Sequence, residues 1–120
     1  MRTKYRAIKT VVDGITFDSK KEARKYLALK KAEEDGQIKN LRCQVHYLLI
    51  PEQREKPTRT KTGKIKLGKL IERKAEYIAD FVYEVGDETV VLDVKGCKTR
   101  EYRLKRKLML WTWGIRVREE

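Results

Sequence analysis

"EYIADFVYEVGDETVVLDVKG", residues 76–96, places two runs rich in β-branched and aromatic residues on either side of Gly86-Asp87-Glu88. Such a pattern reads as a β-hairpin. If the loop is Gly86-Asp87, Val85 opposes Glu88, and counting back along both strands sets Asp80 opposite Asp93; a four-residue loop gives the same pairing. Directly opposed residues have Cβ atoms about 4.5–5.5 Å apart, where like charges repel, so two ionised aspartates there need a compensating cation. Asp93 and Lys95 are two positions apart on one strand and therefore share a face. Lys95 supplies one positive charge. A divalent metal would supply more, and Mg²⁺ suits one or two carboxylates completed by water and phosphate oxygens. The plainer alternative is an Asp-Lys ion pair on a partly exposed sheet face, worth little. Against it, Asp80 lies between Ala79 and Phe81, and Asp93 among Val90, Val91, Leu92 and Val94. Idle charges are costly in such surroundings.

Working outward, "TVVDGITF" (10–17) flanks Asp13-Gly14 with apolar residues, a type I′ hairpin signal, so residues 1–18 are expected to form an N-terminal hairpin. Ser19 and Glu22 have the spacing of a capping box, and Gly36 stands where a helix ends, which predicts a helix from about Lys20 to Asp35. Its inward stripe is expected to be Ala23, Tyr26, Leu27 and Leu29. "LRCQVHYLLI" (41–50) alternates as a strand ended by Pro51, with Leu41, Cys43, Val45, Tyr47 and Leu49 on one face. Residues 53–74 hold nine Lys or Arg against Glu55 and Glu72, and are expected to form a basic arm, either a loop or a flexible hairpin. A second helix is expected over 99–114, with Leu104, Leu108 and Trp111 at i, i+4, i+7, followed by a short strand in "IRVRE". The order predicts an α/β (α+β) domain: a mixed sheet flanked by two helices, with the N-terminal hairpin and the arm attached.

The 120 residues are expected to form one domain, residues 1–120. Thirty Lys and Arg against 18 Asp and Glu give a net charge of +12, which points to a polyanionic partner, nucleic acid in preference to a membrane surface. No apolar run of about 18 residues and no charged-then-apolar leader is present, so neither a membrane span nor a secretory signal is expected. Cys43 and Cys97 form no CxxC, and an odd separation sends Cys43 and His46 to opposite strand faces, so reduced thiols are expected and a zinc site is not. One histidine leaves no His-dependent triad; catalysis would fall to carboxylates and lysines.

"IAD" (78–80) followed by "DVK" (93–95), with a helical glutamate upstream, resembles the PD-(D/E)XK nuclease motif. "DGITFDSKKEARKY", "YIADFVY" and "LDVKG" together are similar to a family of small phage-encoded proteins of that superfamily, long described only as a domain of unknown function. The motif proline is Ala79 here, and Asp93 stands where glutamate is commoner. The resemblance implies an αβββαβ nuclease core and a Mg²⁺-dependent endodeoxyribonuclease, with Mn²⁺ as substitute, working in the cytoplasm of a bacterial host. It implies that Asp80 and Asp93 are metal ligands, with the Val94 carbonyl a third and Glu22 bound directly or through water. Lys95 would orient or help deprotonate the attacking water and stabilise charge on the scissile phosphate. Glu22 is equally explained as a capping partner.

DNA contacts are expected from Arg59, Lys61, Lys64 and Lys66 of the arm and from Lys98 and Arg100 beside the second helix. Gln44 and His46 are expected to be exposed or packed without a catalytic role. Within the resemblance, a structure-selective enzyme for branched DNA, like a Holliday junction resolvase, differs in substrate alone. Two scissions need two sites, which a homodimer would provide. From another class comes a non-catalytic basic nucleic-acid-binding module, with Asp80, Asp93 and Lys95 as a structural ion cluster.

Overall fold

The computed structural model describes residues 8–95 and 97–120. Strands β1 (Thr10–Val12) and β2 (Ile15–Phe17) pair antiparallel around Asp13 and Gly14, whose φ values of +52° and +75° are those a type I′ turn requires. The expected hairpin's residues 1–7 lie outside the described residues. Helix α1 (Lys20–Glu34) starts at Ser19, whose hydroxyl accepts the Glu22 N–H at 3.1 Å. It ends in a Schellman arrangement: Gly36 has φ +78° and the Gln37 N–H donates to the Ala32 carbonyl. Ala23, Tyr26 and Leu29 are buried as expected, and Glu22 joins them. Leu27 does not, being 51% exposed. The buried stripe is centred on Glu22, Tyr26 and Leu29, and Leu27 lies a further 100° around the helix from Tyr26.

Strand β3 (Lys39–Ile50) is followed by the basic arm, which adopts the hairpin alternative. In the arm, β4 (Gln53–Arg54) pairs with β7 (Leu70–Glu72), and β5 (Thr58–Arg59) with β6 (Ile65–Lys66), all antiparallel. Every residue from 53 to 74 is exposed except Gly68. A Cβ on Gly68 would sit 1.8 Å from the Glu55 carbonyl oxygen, so only glycine lets the two arm strands approach there. The arm stands off the body: the radius of gyration is 19.0 Å, against roughly 13–14 Å for a compact chain of this length.

The body's sheet has the order β10-β9-β8-β3, from β8 (Ala75–Val85), β9 (Glu88–Asp93) and β10 (Arg118–Glu119). β3, β8 and β9 are antiparallel neighbours and β10 runs parallel to β9, giving the expected mixed α+β sheet. Along β8 and β9, Phe81, Tyr83, Val90 and Leu92 pack with α1, whereas Val82 and Val91 pack with helix α2 (Arg100–Trp113). One helix therefore covers each face.

Two expectations about faces fail. Leu41, Cys43, Val45, Tyr47 and Leu49 do not share one cluster: Leu41 and Cys43 pack toward α1, while Val45, Tyr47 and Leu49 pack toward α2. The changeover falls at Gln44, whose φ of +54° breaks the alternation of an extended strand. On α2, Leu104 and Trp111 are 59% and 88% exposed, and of the expected stripe only Leu108 packs against the sheet, beside the buried Tyr102 and Met109. That seating is fixed further on by Trp113, whose Nε1–H donates to the Leu48 carbonyl at 2.8 Å and whose ring meets Tyr47 edge-on. Among the described residues no helix is long and apolar enough to cross a membrane.

Candidate functional site

The changeover row is also where acidic side chains meet. β8 and β9 pair from Val85↔Glu88 to Phe81↔Leu92, the register counted from the loop, and the next step sets Asp80 beside Asp93. There the ladder opens. The Val94 N–H donates to Asp80 Oδ2 at 2.8 Å instead of to a main-chain carbonyl. On the other edge, Glu120 N–H donates to the Asp93 carbonyl and Lys95 N–H to the Glu120 carbonyl. Because main-chain groups alternate in direction along a strand, the Val94 carbonyl faces the Asp80 side.

Cys43 and Phe81 pack toward α1 while Val45 and Ala79 pack toward α2, so Gln44 and Asp80 lie between the two layers. From the α1 layer comes Glu22, 4% exposed, with Gln44 Nε2 donating to its Oε1 at 3.2 Å. Its N–H is capped by Ser19, but its carboxylate hydrogen-bonds to Gln44, leaving a half-formed capping box. From the α2 layer comes Asp93, 1% exposed, whose Oδ2 accepts the Tyr77 hydroxyl at 2.5 Å. Lys95 Nζ lies 3.1 Å from Asp93 Oδ1 and 4.4 Å from the centre of the Tyr102 ring. Oδ1 nonetheless has no partner with hydrogen-bond geometry among the described residues. A cleft of about 230 Å³ opens beside Asp93 and Lys95, bounded by Tyr77, Thr99 and Tyr102.

The electrostatics follow from this crowding. Burial foremost, and then Asp93 beside it, push the Asp80 carboxyl up to about 8, with the Val94 N–H pulling the other way. Burial, Asp18 and Asp93 raise Glu22. The Tyr77 phenol is raised by burial and by its bond to Asp93, and the Tyr102 phenol by burial and the Asp93 charge, so both stay protonated. Near neutral pH the crowding favours a proton on Asp80. Glu22, Asp80, Asp93 and Lys95, singled out in the sequence, are brought together.

Among the described residues no three His, Cys, Asp or Glu side chains form a ready-made ion cage. Mg²⁺ ordinarily takes one or two carboxylates and completes its shell with water and phosphate oxygens. The Asp80–Asp93 pair, with a buried carboxylate oxygen lacking a hydrogen bond and a carbonyl on the same side, fits that donor set.

The basic residues lie elsewhere. Lys61, Lys64 and Lys66 are exposed on the arm, as is Arg59, whose guanidinium donates to the Gly63 carbonyl at 3.2 Å. Arg100 opens α2 and is exposed; Lys98 lies 3.4 Å from Glu119, which also binds Arg106. His46 pairs with Glu76 on the surface at 2.8 Å, and neither cysteine is in a disulfide. Sequence reasoning missed Tyr77 and undervalued Gln44. Cross-strand counting from β8 could not reach Gln44, because the arm separates β3 from β8.

Comparison with curated proteins and with solved structures gives no match. A family model described as a protein of unknown function, DUF1064, matches residues 2–116, and the chain belongs to that family.

Proposed function

We propose that the chain is a metal-dependent DNA endonuclease of the PD-(D/E)XK type. The observation that carries the reading is Asp93: a buried carboxylate set beside Asp80 and Lys95, with one oxygen lacking a hydrogen bond. Lys95 offsets part of the cost of burying that charge beside Asp80, and a divalent cation shared by the two aspartates would offset the rest. Asp80, Asp93 and the Val94 carbonyl would hold Mg²⁺ or Mn²⁺, with Glu22 completing the site directly or through water. A divalent cation bound there supplies an acidified water and neutralises phosphate charge. Lys95 holds its ammonium beside Asp93, where it orients the attacking water and stabilises charge developing on the scissile phosphate. The water would give up a proton to solvent as its oxygen bonds phosphorus, the bond from phosphorus to the leaving sugar oxygen would break, and that alkoxide would take up a proton from solvent.

The arm supplies duplex affinity. The major groove admits a two-stranded β-ribbon, and Arg59, Lys61, Lys64 and Lys66 cluster toward the ribbon's tip. Lys98 and Arg100 would meet phosphates beside the cleft. Among the described residues each chain carries one such acidic cluster, so two copies, a homodimer on the substrate, would supply the two sites for cutting both strands.

Incubation of supercoiled plasmid with Mg²⁺, and in parallel with EDTA, tests the reading: nicking or linearisation with Mg²⁺ alone is expected. Binding without cleavage under both conditions would make the chain a basic binding module. A four-way junction and a linear duplex run side by side decide between a resolvase and a general duplex endonuclease.

A further inference from the structure

Each of the three site carboxylates has one oxygen occupied by a neutral donor. Gln44 Nε2 takes Glu22 Oε1 at 3.2 Å, the Val94 N–H takes Asp80 Oδ2 at 2.8 Å, and the Tyr77 hydroxyl takes Asp93 Oδ2 at 2.5 Å. Neutral donors fix a carboxylate's orientation without cancelling its charge. Of the two side-chain donors, Gln44 comes from the changeover residue of β3, between the layers, and Tyr77 from the α2 face.

We propose that Tyr77 and Gln44 are positioning residues that leave Asp93 and Glu22 one oxygen each for a divalent cation, so that both bind it through a single oxygen. The inference rests on the cation-site reading above. At Asp93 the geometry is most complete: Tyr77 is itself 3% exposed, its hydroxyl is committed to Oδ2, and Oδ1, the buried oxygen without a hydrogen bond, lies 3.1 Å from Lys95 Nζ, an ion pair that an entering divalent cation would displace. Without the phenol, the carboxylate can rotate and offer either oxygen, and the orientation now built into the fold would have to be imposed during binding. At Gln44 the backbone supplies a second indication. A glutamine at φ +54° inside a strand is in a conformation that asparagine or glycine adopts more readily, and strain of this kind persists where surrounding contacts fix it. Here the long side chain reaches Glu22; a shorter one would not.

The test is equilibrium Mn²⁺ binding to the full chain without DNA, followed by the electron paramagnetic resonance signal of the unbound ion. Wild type is compared with Tyr77→Phe, Gln44→Asn and, as a control on the α1 face, Tyr83→Phe, with thermal melting of each in EDTA. Tyr77→Phe is expected to weaken Mn²⁺ binding about tenfold, the lower end for losing a group that orients a ligand. Gln44→Asn is expected to weaken it less while melting no lower than wild type, a pairing that a merely structural glutamine would not produce. Tyr83→Phe should bind as wild type does. Wild-type affinity in both Tyr77→Phe and Gln44→Asn overturns the positioning roles and leaves the cation site standing. No saturable Mn²⁺ binding by wild type overturns the cation site, and this inference with it.

Discussion

The acidic row and the arm use charge in opposite ways. In the row, three carboxylates sit where water is scarce, each oriented by a specific hydrogen bond, and the misfit appears as Asp80 pushed up to about 8. In the arm, nine cations stand in solvent on a hairpin with no core of its own, and Ile65, Leu67 and Ile71 are exposed beside them. Moving a charge in the row by an ångström changes its chemistry; moving one in the arm changes little, because a polyanion responds to their sum. Specific geometry thus belongs to the body and collective attraction to the arm, and the two should fail separately.

The largest separation is expected from Asp80→Asn. Cleavage should fall at least about a thousandfold, the scale of the several kcal/mol that a bound metal contributes, while binding of a duplex in EDTA stays at the wild-type level. Joint replacement of Arg59, Lys61, Lys64 and Lys66 by alanine should do the reverse. The slope of log K against log salt should shrink by up to about 3.6, at about 0.9 for each phosphate the arm no longer neutralises, with Mn²⁺ affinity unchanged. An unaltered slope would reduce the arm to a solvated insertion. A smaller loss of DNA affinity is expected for Gly68→Ala, whose added Cβ would meet the Glu55 carbonyl and force the arm strands apart; thermal melting of the body should hardly move.

Two finer effects sharpen the contrast within the body. Glu22→Gln should shift the Mg²⁺ dependence of cleavage to higher concentration with little change in melting, whereas Ser19→Ala should lose about 1 kcal/mol of stability and keep the Mg²⁺ dependence. The cation-free protein should also lose stability as pH rises. Asp80 holds its proton more tightly folded than unfolded, so its contribution is complete below about 4 and is lost as pH climbs through about 8. Asp80→Asn should therefore melt higher than wild type at pH 8 in EDTA, by on the order of 2 kcal/mol given partial burial, and the gap should close toward pH 4. Equal melting at both pH values would mean that the row is better hydrated than its packing implies.

How much of this was legible in the sequence depended on the range of the interaction. The Asp13-Gly14 turn, the Ser19 cap and the Val85↔Glu88 register are local, and each was readable from neighbouring residues. The Asp80–Asp93 step followed from that register. The rotation of α2 was not readable, since Leu104-Leu108-Trp111 has a good helical period, yet the helix is seated by Tyr102, Leu108 and Met109, with Trp113 docked on β3. The break at Gln44 was hidden for a similar reason. An unbroken alternation from Leu41 to Leu49 gives no hint that the strand changes faces halfway, and the change depends on a left-handed glutamine that sequence propensity disfavours. Tyr77 looked like one more aromatic strand residue until its hydroxyl was seen on Asp93.

A crystal of the full chain soaked in Mn²⁺, with anomalous scattering used to locate the ion, tests the central claim most directly. The account predicts a peak between Asp80 and Asp93, bound through Asp93 Oδ1 with Oδ2 still on the Tyr77 hydroxyl, and within reach of the Val94 carbonyl. Saturating Mn²⁺ with no peak in that row, and the carboxylates still packed against one another, would contradict it.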